Sequence, residues 1–330
     1  LLVPGDSRAV DPVTEVPLTY PLSATNADGA EVPIVTTAGD YKYVGRLIVN
    51  FDRAGNVVST DESSGPVRVS GVAPDAVQPD PWIQANVVDP VNQFIADLAG
   101  NVIATSEVAL EGRRPPIRQE ETNLGNLVAD ALRDAGTDRA AEFGVVPPDV
   151  AIQNGGGIRN ASLIPPGPIT ELDTFSIAAF PNFVSVVPDV PRDQFKEILE
   201  NLVSRIPNED GRWGHVSGFS FTFDASEAAQ DVDNDGTVLA PGSRVREVVL
   251  DDGTVIVANG DVVPGDPIAV ATNDFSARGG DQYPFRGLPF TTVGVTYQQA
   301  LLAYIVEDLN GVISAADYPE GGEGRITRLN

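Results

Sequence analysis

Beyond about residue 100 the chain alternates between two periods, and that alternation limits what it can fold into. Three stretches repeat apolar residues at helical spacing, and short β-branched runs lie between them. The first stretch is "TNLGNLVADALRDAG". Leu124, Leu127, Val128, Ala131, Leu132 and Ala135 share a face, with Thr122 or Asn123 as cap and Gly136 as stop. In "PRDQFKEILENLVSRI", Pro191 suits the first turn, and Phe195, Ile198, Leu199, Leu202 and Ile206 form the stripe. "TYQQALLAYIVEDLNG" ends at Asn310-Gly311. The strands read as "DVAIQN", "FVSVV", "FSFTF", "RVREVVL" and "IAVATN", with a hairpin turned at Asp251-Asp252-Gly253. The region is mixed α/β, with mixed sheets and flanking helices.

The part before it differs. Residues 1–75 read as β-rich, with "VPIVTTAG" and a hairpin turned at Ala54-Gly55-Asn56, and no helical core accompanies them. Residues 71–82 are proline-rich and read as a connector. A helix follows from about Pro81 to Leu98, closed by Gly100, and bridges the two parts. The organisation expected is therefore 1–75, a linker with bridging helix at 76–100, and a larger domain at 101–330. No apolar run reaches 18 residues, so no transmembrane segment is expected. The chain opens at Leu1 without a charged, apolar leader, which reads as the interior of a longer protein or a trimmed product.

Composition removes whole classes of chemistry. There is no cysteine, hence no disulfide framework, thiolate metal site or cysteine nucleophile. One histidine, His215, is too few for a binuclear hydrolytic metal centre rich in imidazole. No serine sits in a G-x-S-x-G elbow to use it. His215 reads as structural, or as a pocket wall, or as a lone catalytic group. The net charge of −26 opposes a nucleic-acid groove. It suits either a simple solubility coat or a secreted protein in saline surroundings, where ions screen self-repulsion.

Two glycine clusters follow apolar strands. In "QNGGGIR", Gly155, Gly156 and Gly157 bare the backbone beside Arg159, a planar fork for phosphate or carboxylate. No Gly-Lys-Ser/Thr follows, so this is not a Walker loop. A tight structural turn and a ligand loop both remain open. In "ATNDFSARGGDQYPF", Phe275 precedes Gly279-Gly280 and Asp281, a candidate stacking plate with a polar reader. The alternative is that Phe275 is core. A third stretch, "DVDNDGTV", sets Asp231, Asp233 and Asp235 at alternate positions before Gly236, the first half of a calcium loop. Gly242 stands where an EF-hand has its twelfth-position glutamate. A structural calcium and a solvated acidic turn are the two readings.

Taken in order, "ETNLGNLVADAL", "NGGGIR", "VSGFSFTFD", "NDFSARGGD" and the terminal "GRI" resemble the C-terminal domain of secreted 5'-nucleotidases, over about residues 100–330. Residues 1–75 resemble the closing strands of that family's metallophosphoesterase domain. The resemblance implies that two divalent metal ions and the catalytic residues belong to an N-terminal domain of the same polypeptide, outside this chain. It implies no catalytic residue here, and no phosphatase activity for this chain alone. The substrate would be a nucleotide or nucleoside, and the location secreted, periplasmic or cell surface. Matching motif to motif, the base-clamping phenylalanines are Phe180 and Phe275, although the usual Pro-Phe-Gly reads Ala179-Phe180-Pro181 here. Arg118 and Arg159 match the arginines on the phosphate or ribose side, Asn154 and Gly157 lie near the base, and Asp281 accepts from ribose hydroxyls. Gln282 replaces a glycine and is expected to narrow the pocket. The resemblance also admits a cyclic-nucleotide phosphodiesterase/3'-nucleotidase, a UDP-sugar hydrolase, or a non-catalytic nucleotide-binding surface module.

Overall fold

A computed structural model describes residues 19–37, 41–73 and 76–330. The expected strand and connector residues at 1–18, 38–40 and 74–75 lie outside the described residues. The chain divides into two compact units, 1–92 and 93–330. That division falls within the helical stretch of residues 81–100, which continues from Pro81–Ile83 through a π-helical turn at Gln84–Val88 into Asp89–Gly100. Asp80 caps it, accepting from the amides of Trp82 and Ile83.

In the first unit the described strands pair two by two. Leu22–Thr25 runs antiparallel to Glu31–Ile34, and Tyr43–Arg46 to Gly65–Arg68. Val49–Phe51 pairs with Val57–Thr60 across the expected turn, where Asp52 Oδ1 accepts from the amides of Ala54 and Asn56. Among its described residues no hydrophobic side chain is fully buried.

The second unit is built on a five-stranded mixed sheet of β1 (Val150–Asn154), β2 (Phe183–Val190), β3 (Gly214–Ser217), β4 (Ile268–Asn273) and β5 (Thr291–Thr296). The spatial order is β3-β1-β4-β2-β5, with only β1 and β4 parallel. Successive strand residues face opposite ways, so the sheet feeds two cores. Ala151, Val184, Val186 and Ala271 pack with helix α1 (Asn123–Phe143) and helix α4 (Tyr297–Ala303). Val150, Ile152, Val187 and Val270 pack on the other side with helix α2 (Arg192–Val203) and Phe219, Phe221 and Phe223. Those phenylalanines belong to a second five-stranded sheet, ordered Asp261–Val262, Val255–Ala258, Val245–Leu250, Phe219–Phe223 and Ile326–Arg328. Helix α3 (Asp274–Ala277) follows β4 without a break. The class is mixed α/β, as expected.

Helix α1 departs from the expectation at its end. It begins on a Thr122 cap but passes through Gly136 to a left-handed Gly144. Gly136 is a packing glycine rather than a stop. A Cβ there would lie 2.9 Å from the Pro148 ring, so the bare backbone admits the chain that leads into β1. The residues Asp231–Val232 and Val238–Ala240 form a small hairpin around the acidic turn. There Asp233 Oδ1 accepts from the amides of Asp235 and Thr237. Among the described residues no three His, Cys, Asp or Glu side chains are gathered to hold a metal ion.

Candidate functional site

The parallel strands β1 and β4 end side by side in asparagines. Asn273 Nδ2 donates to Asn154 Oδ1 at 3.0 Å and to Gln153 Oε1 at 3.2 Å. Beyond them open the glycine turn Gly155–Gly157 and helix α3, the end of a mixed sheet where ligands commonly bind. The space between is a cleft of about 390 Å³.

All seven residues expected to bind substrate line this one cleft, namely Arg118, Asn154, Gly157, Arg159, Phe180, Phe275 and Asp281, whereas Asp231, Asp233 and Asp235 are not on its wall. Gly156, Asn182 and Gly211 complete the wall. Phe180 and Phe275 are 42% and 43% exposed, so neither ring is core. Phe275 stands on Gly280, where a Cβ would come within 2.5 Å of the ring. The Arg159 guanidinium lies 5.2 Å from the centroid of the Phe180 ring, a cation–π distance.

The three glycines each serve a close approach. A Cβ on Gly155 would stand 2.3 Å from the Ile117 carbonyl, and one on Gly157 2.3 Å from Gln153 Nε2. On Gly156 it would meet Asn154, Asp281 and Gly211, each at 3.1 Å. The triplet therefore lets the turn that carries Arg118 nest against the end of β1 while Asp281 approaches from the opposite loop. Asn154 Nδ2 donates to Asp281 Oδ2 at 2.7 Å, and Asn201 Nδ2 to the Asp281 carbonyl at 3.2 Å. Asp281 and Gln282 both adopt left-handed backbone, with φ of 52° and 59°. Such a pair is strained for residues other than glycine.

Gln282 does not narrow the cleft, contrary to the expectation. It is absent from the wall, and its Nε2 donates instead to Asn234 Oδ1 in the acidic turn, at 3.1 Å. The left-handed backbone turns the side chain away from the cavity.

The electrostatics of the cleft are uneven. Arg118 is largely buried, with 15% of its side chain exposed, and its Nε has no partner. Glu209 stands 3.8 Å from Arg118 and also 3.8 Å from Arg114. Burial holds the Arg118 pKa below the ordinary guanidinium value, and the neighbouring charges of Arg114 and Arg159 push the same way. A largely buried cation on the cleft wall, beside two other cations and only partly offset by Glu209 and Asp281, is arranged to receive an anion. Arg114 was not among the sequence candidates; its proximity comes from the turn Pro116–Arg118 and has no signature of its own.

His215 is not on the cleft wall. It is buried on β3, its Nε2 donates to the Ile117 carbonyl at 3.0 Å, and burial draws its pKa down to about 4. A neutral imidazole bracing the turn before Arg118 is a structural role.

The chain resembles known proteins over most of its length. A family model described as the 5'-nucleotidase C-terminal domain matches residues 102–287. The trifunctional nucleotide phosphoesterase protein YfkN of Bacillus subtilis (strain 168) is 32% identical over 260 residues, covering 77% of this chain and 16% of that protein. The 5'-nucleotidase of Homo sapiens is 28% identical over 285 residues, covering 82% and 44%. A crystal structure of a 5'-nucleotidase precursor from Thermus thermophilus matches with a TM-score of 0.58 and 29% identity, over 97% of this chain and 57% of that one. The chain thus spans less than two thirds of each of these relatives.

Proposed function

The chain belongs to the family of the 5'-nucleotidase C-terminal domain, and from that premise we propose that its cleft holds the nucleotide for a phosphoric ester hydrolase. The observation that carries the proposal is the convergence of two half-exposed phenylalanines, a largely buried guanidinium and an oriented carboxylate in one cavity. The phenylalanine rings stack the base, with little regard for its identity. Asp281, aimed by Asn154, accepts from the ribose hydroxyls and separates a nucleoside from free phosphate. Arg118 and Arg159 neutralise the phosphate locally in a chain of net charge −26.

No residue of this chain is assigned to bond cleavage. Among the described residues no side-chain set fits a metal ion. Two divalent ions, held in an N-terminal domain of the same polypeptide, would supply an activated water and stabilise the developing charge. The paired strands of the first unit are then the closing strands of that domain. A secreted, periplasmic or cell-surface setting goes with this reading, and no helix among the described residues is long and apolar enough to cross a membrane.

Calorimetric titration of the chain with AMP, adenosine and inorganic phosphate tests the proposal. AMP is expected to bind more tightly than adenosine, adenosine to bind measurably, and AMP hydrolysis by the chain alone to be undetectable. Failure of both AMP and adenosine to bind refutes the assignment of the cleft.

A further inference from the structure

Tyr297 lies outside the cleft wall yet is bonded to three residues that form it. It is the first residue of helix α4, and its ring is fully buried. Its hydroxyl donates to the Gly157 carbonyl at 3.0 Å and accepts from the Phe180 amide at 3.0 Å. Its own amide donates to the Asn182 carbonyl at 3.0 Å. One buried side chain therefore spans from the glycine turn to the loop of Phe180, and the same residue's backbone holds the far end of that loop.

The local sequence explains why such an anchor matters here. Phe180 precedes Pro181, which confines Phe180 to extended backbone and offers no amide of its own. The Phe180 amide is thus the hydrogen-bond donor closest to the ring, and fixing it fixes the direction in which the ring leaves the chain. The other end of the loop is held independently, since the Phe183 amide donates to Asp274 Oδ1 at 3.0 Å, on the residue before Phe275. Gly157 is itself tightly placed against Gln153, which makes it a firm post for the hydroxyl. Burial pushes the Tyr297 pKa up to about 12, so the phenol keeps the proton it donates.

We propose that the Tyr297 hydroxyl is a positioning group for substrate binding, aiming the Phe180 ring by tying its amide to the glycine turn that also presents Arg159. The inference rests on the reading of the cleft as a nucleotide site. It predicts that Tyr297 acts on the ligand through Phe180 and in no other way on the base.

A double-mutant cycle tests this on the whole chain, with adenosine as the probe so that phosphate plays no part. Tyr297→Phe removes one oxygen and leaves the ring to fill its pocket. It is expected to weaken adenosine about tenfold, the scale of one buried hydrogen bond lost. In the Phe180→Ala background, where no ring remains to aim, the same change is expected to alter adenosine affinity by less than about twofold. A merely structural tyrosine would loosen the cleft equally in both backgrounds, so equal losses overturn the proposal, as does no loss in the wild type. Hydrogen exchange read by NMR gives a second measure. The Phe180 amide should be protected in the wild type and exchange faster in Tyr297→Phe, and unchanged protection also overturns the proposal. A wild type that binds adenosine, and loses it on Phe180→Ala while Tyr297→Phe is silent, sinks the inference and leaves the cleft assignment standing. A wild type that binds no nucleoside sinks both.

Discussion

Arg118→Met is the perturbation that most sharply separates function from stability. Arg118 has 15% of its side chain exposed, an unpartnered Nε, and one carboxylate, Glu209, at 3.8 Å. The folded chain has therefore removed most of a guanidinium from water without forming a close ion pair in return. Arg114 and Arg159 oppose its charge further. Removing this ion ends its desolvation cost, and Glu209, 37% exposed and also 3.8 Å from Arg114, is not left as a buried unpaired charge. With Glu209 partly compensating, about 1 kcal/mol is the expected gain, which for a chain of this size raises Tm by about 2 °C. Binding moves the other way. A charge-assisted hydrogen bond to phosphate contributes about 1.5–3 kcal/mol, so AMP should weaken by roughly 10- to 150-fold. Adenosine, which lacks the anion, should change by less than about twofold. Differential scanning calorimetry with and without AMP reads both effects: the variant melts higher than the wild type when empty and lower at saturating AMP. An empty variant that melts several degrees below the wild type would mean that Arg118 holds the fold together. AMP affinity left intact would mean that it does not face the phosphate. Either outcome refutes the reasoning.

Phe275→Ala should weaken adenosine by about 1–3 kcal/mol by loss of stacking, with little change in Tm because the ring is already 43% exposed; calorimetry of binding and unfolding decides it. Asp134 on helix α1 has its pKa raised from 3.8 to about 6, by burial first and then by Asp308, Asp138 and Glu307. The folded state therefore holds this proton longer than the unfolded state, and stability falls as pH rises from about 4 through 6. Asp134→Asn should stabilise the chain at pH 7, by less than the shift alone implies because solvent screens a partly exposed carboxylate, and bring no gain at pH 4, as followed by urea unfolding at the two pH values. Arg244 is buried and donates to the carbonyls of Val203, Ser204 and Ile206 at the end of helix α2. Arg244→Met should cost about 2–4 kcal/mol, since it strands buried acceptors, and urea unfolding at neutral pH measures the loss.

Much of the larger unit was legible because period and punctuation agree there. The apolar stripes of α1 and α2 lie in the two cores, and the turn at Asp251-Asp252-Gly253 is where the sequence puts it. Gly136 misled because a glycine at a helical position has two physical uses, a left-handed stop and a close approach. Only the partner, Pro148, tells them apart, and that partner comes from a different segment. Gln282 misled for a related reason. Its volume argues for a narrower cavity, but a φ of 59° sends the side chain to Asn234, and dihedral signs are not written in residue type outside glycine and asparagine.

The cleft shows where local reading stops. Arg159, Phe275 and Asp281 could be singled out because each sits beside a glycine cluster that follows a strand, whereas Arg118 could be reached only through the family resemblance. Arg114 and Tyr297 have no such neighbour. Arg114 matters because its turn brings it within reach of the carboxylate that Arg118 also approaches. Tyr297 looks like one more apolar helix residue until the hydroxyl is seen to meet a carbonyl 140 positions away and an amide 117 positions away. Residues that touch a ligand tend to lie in loops with their own composition, whereas residues that aim those loops sit in cores, where a single oxygen changes the role without changing the hydrophobic pattern. A buried tyrosine whose hydroxyl serves two loops of one cleft is therefore where the search for specificity should extend next, ahead of further residues on the wall itself.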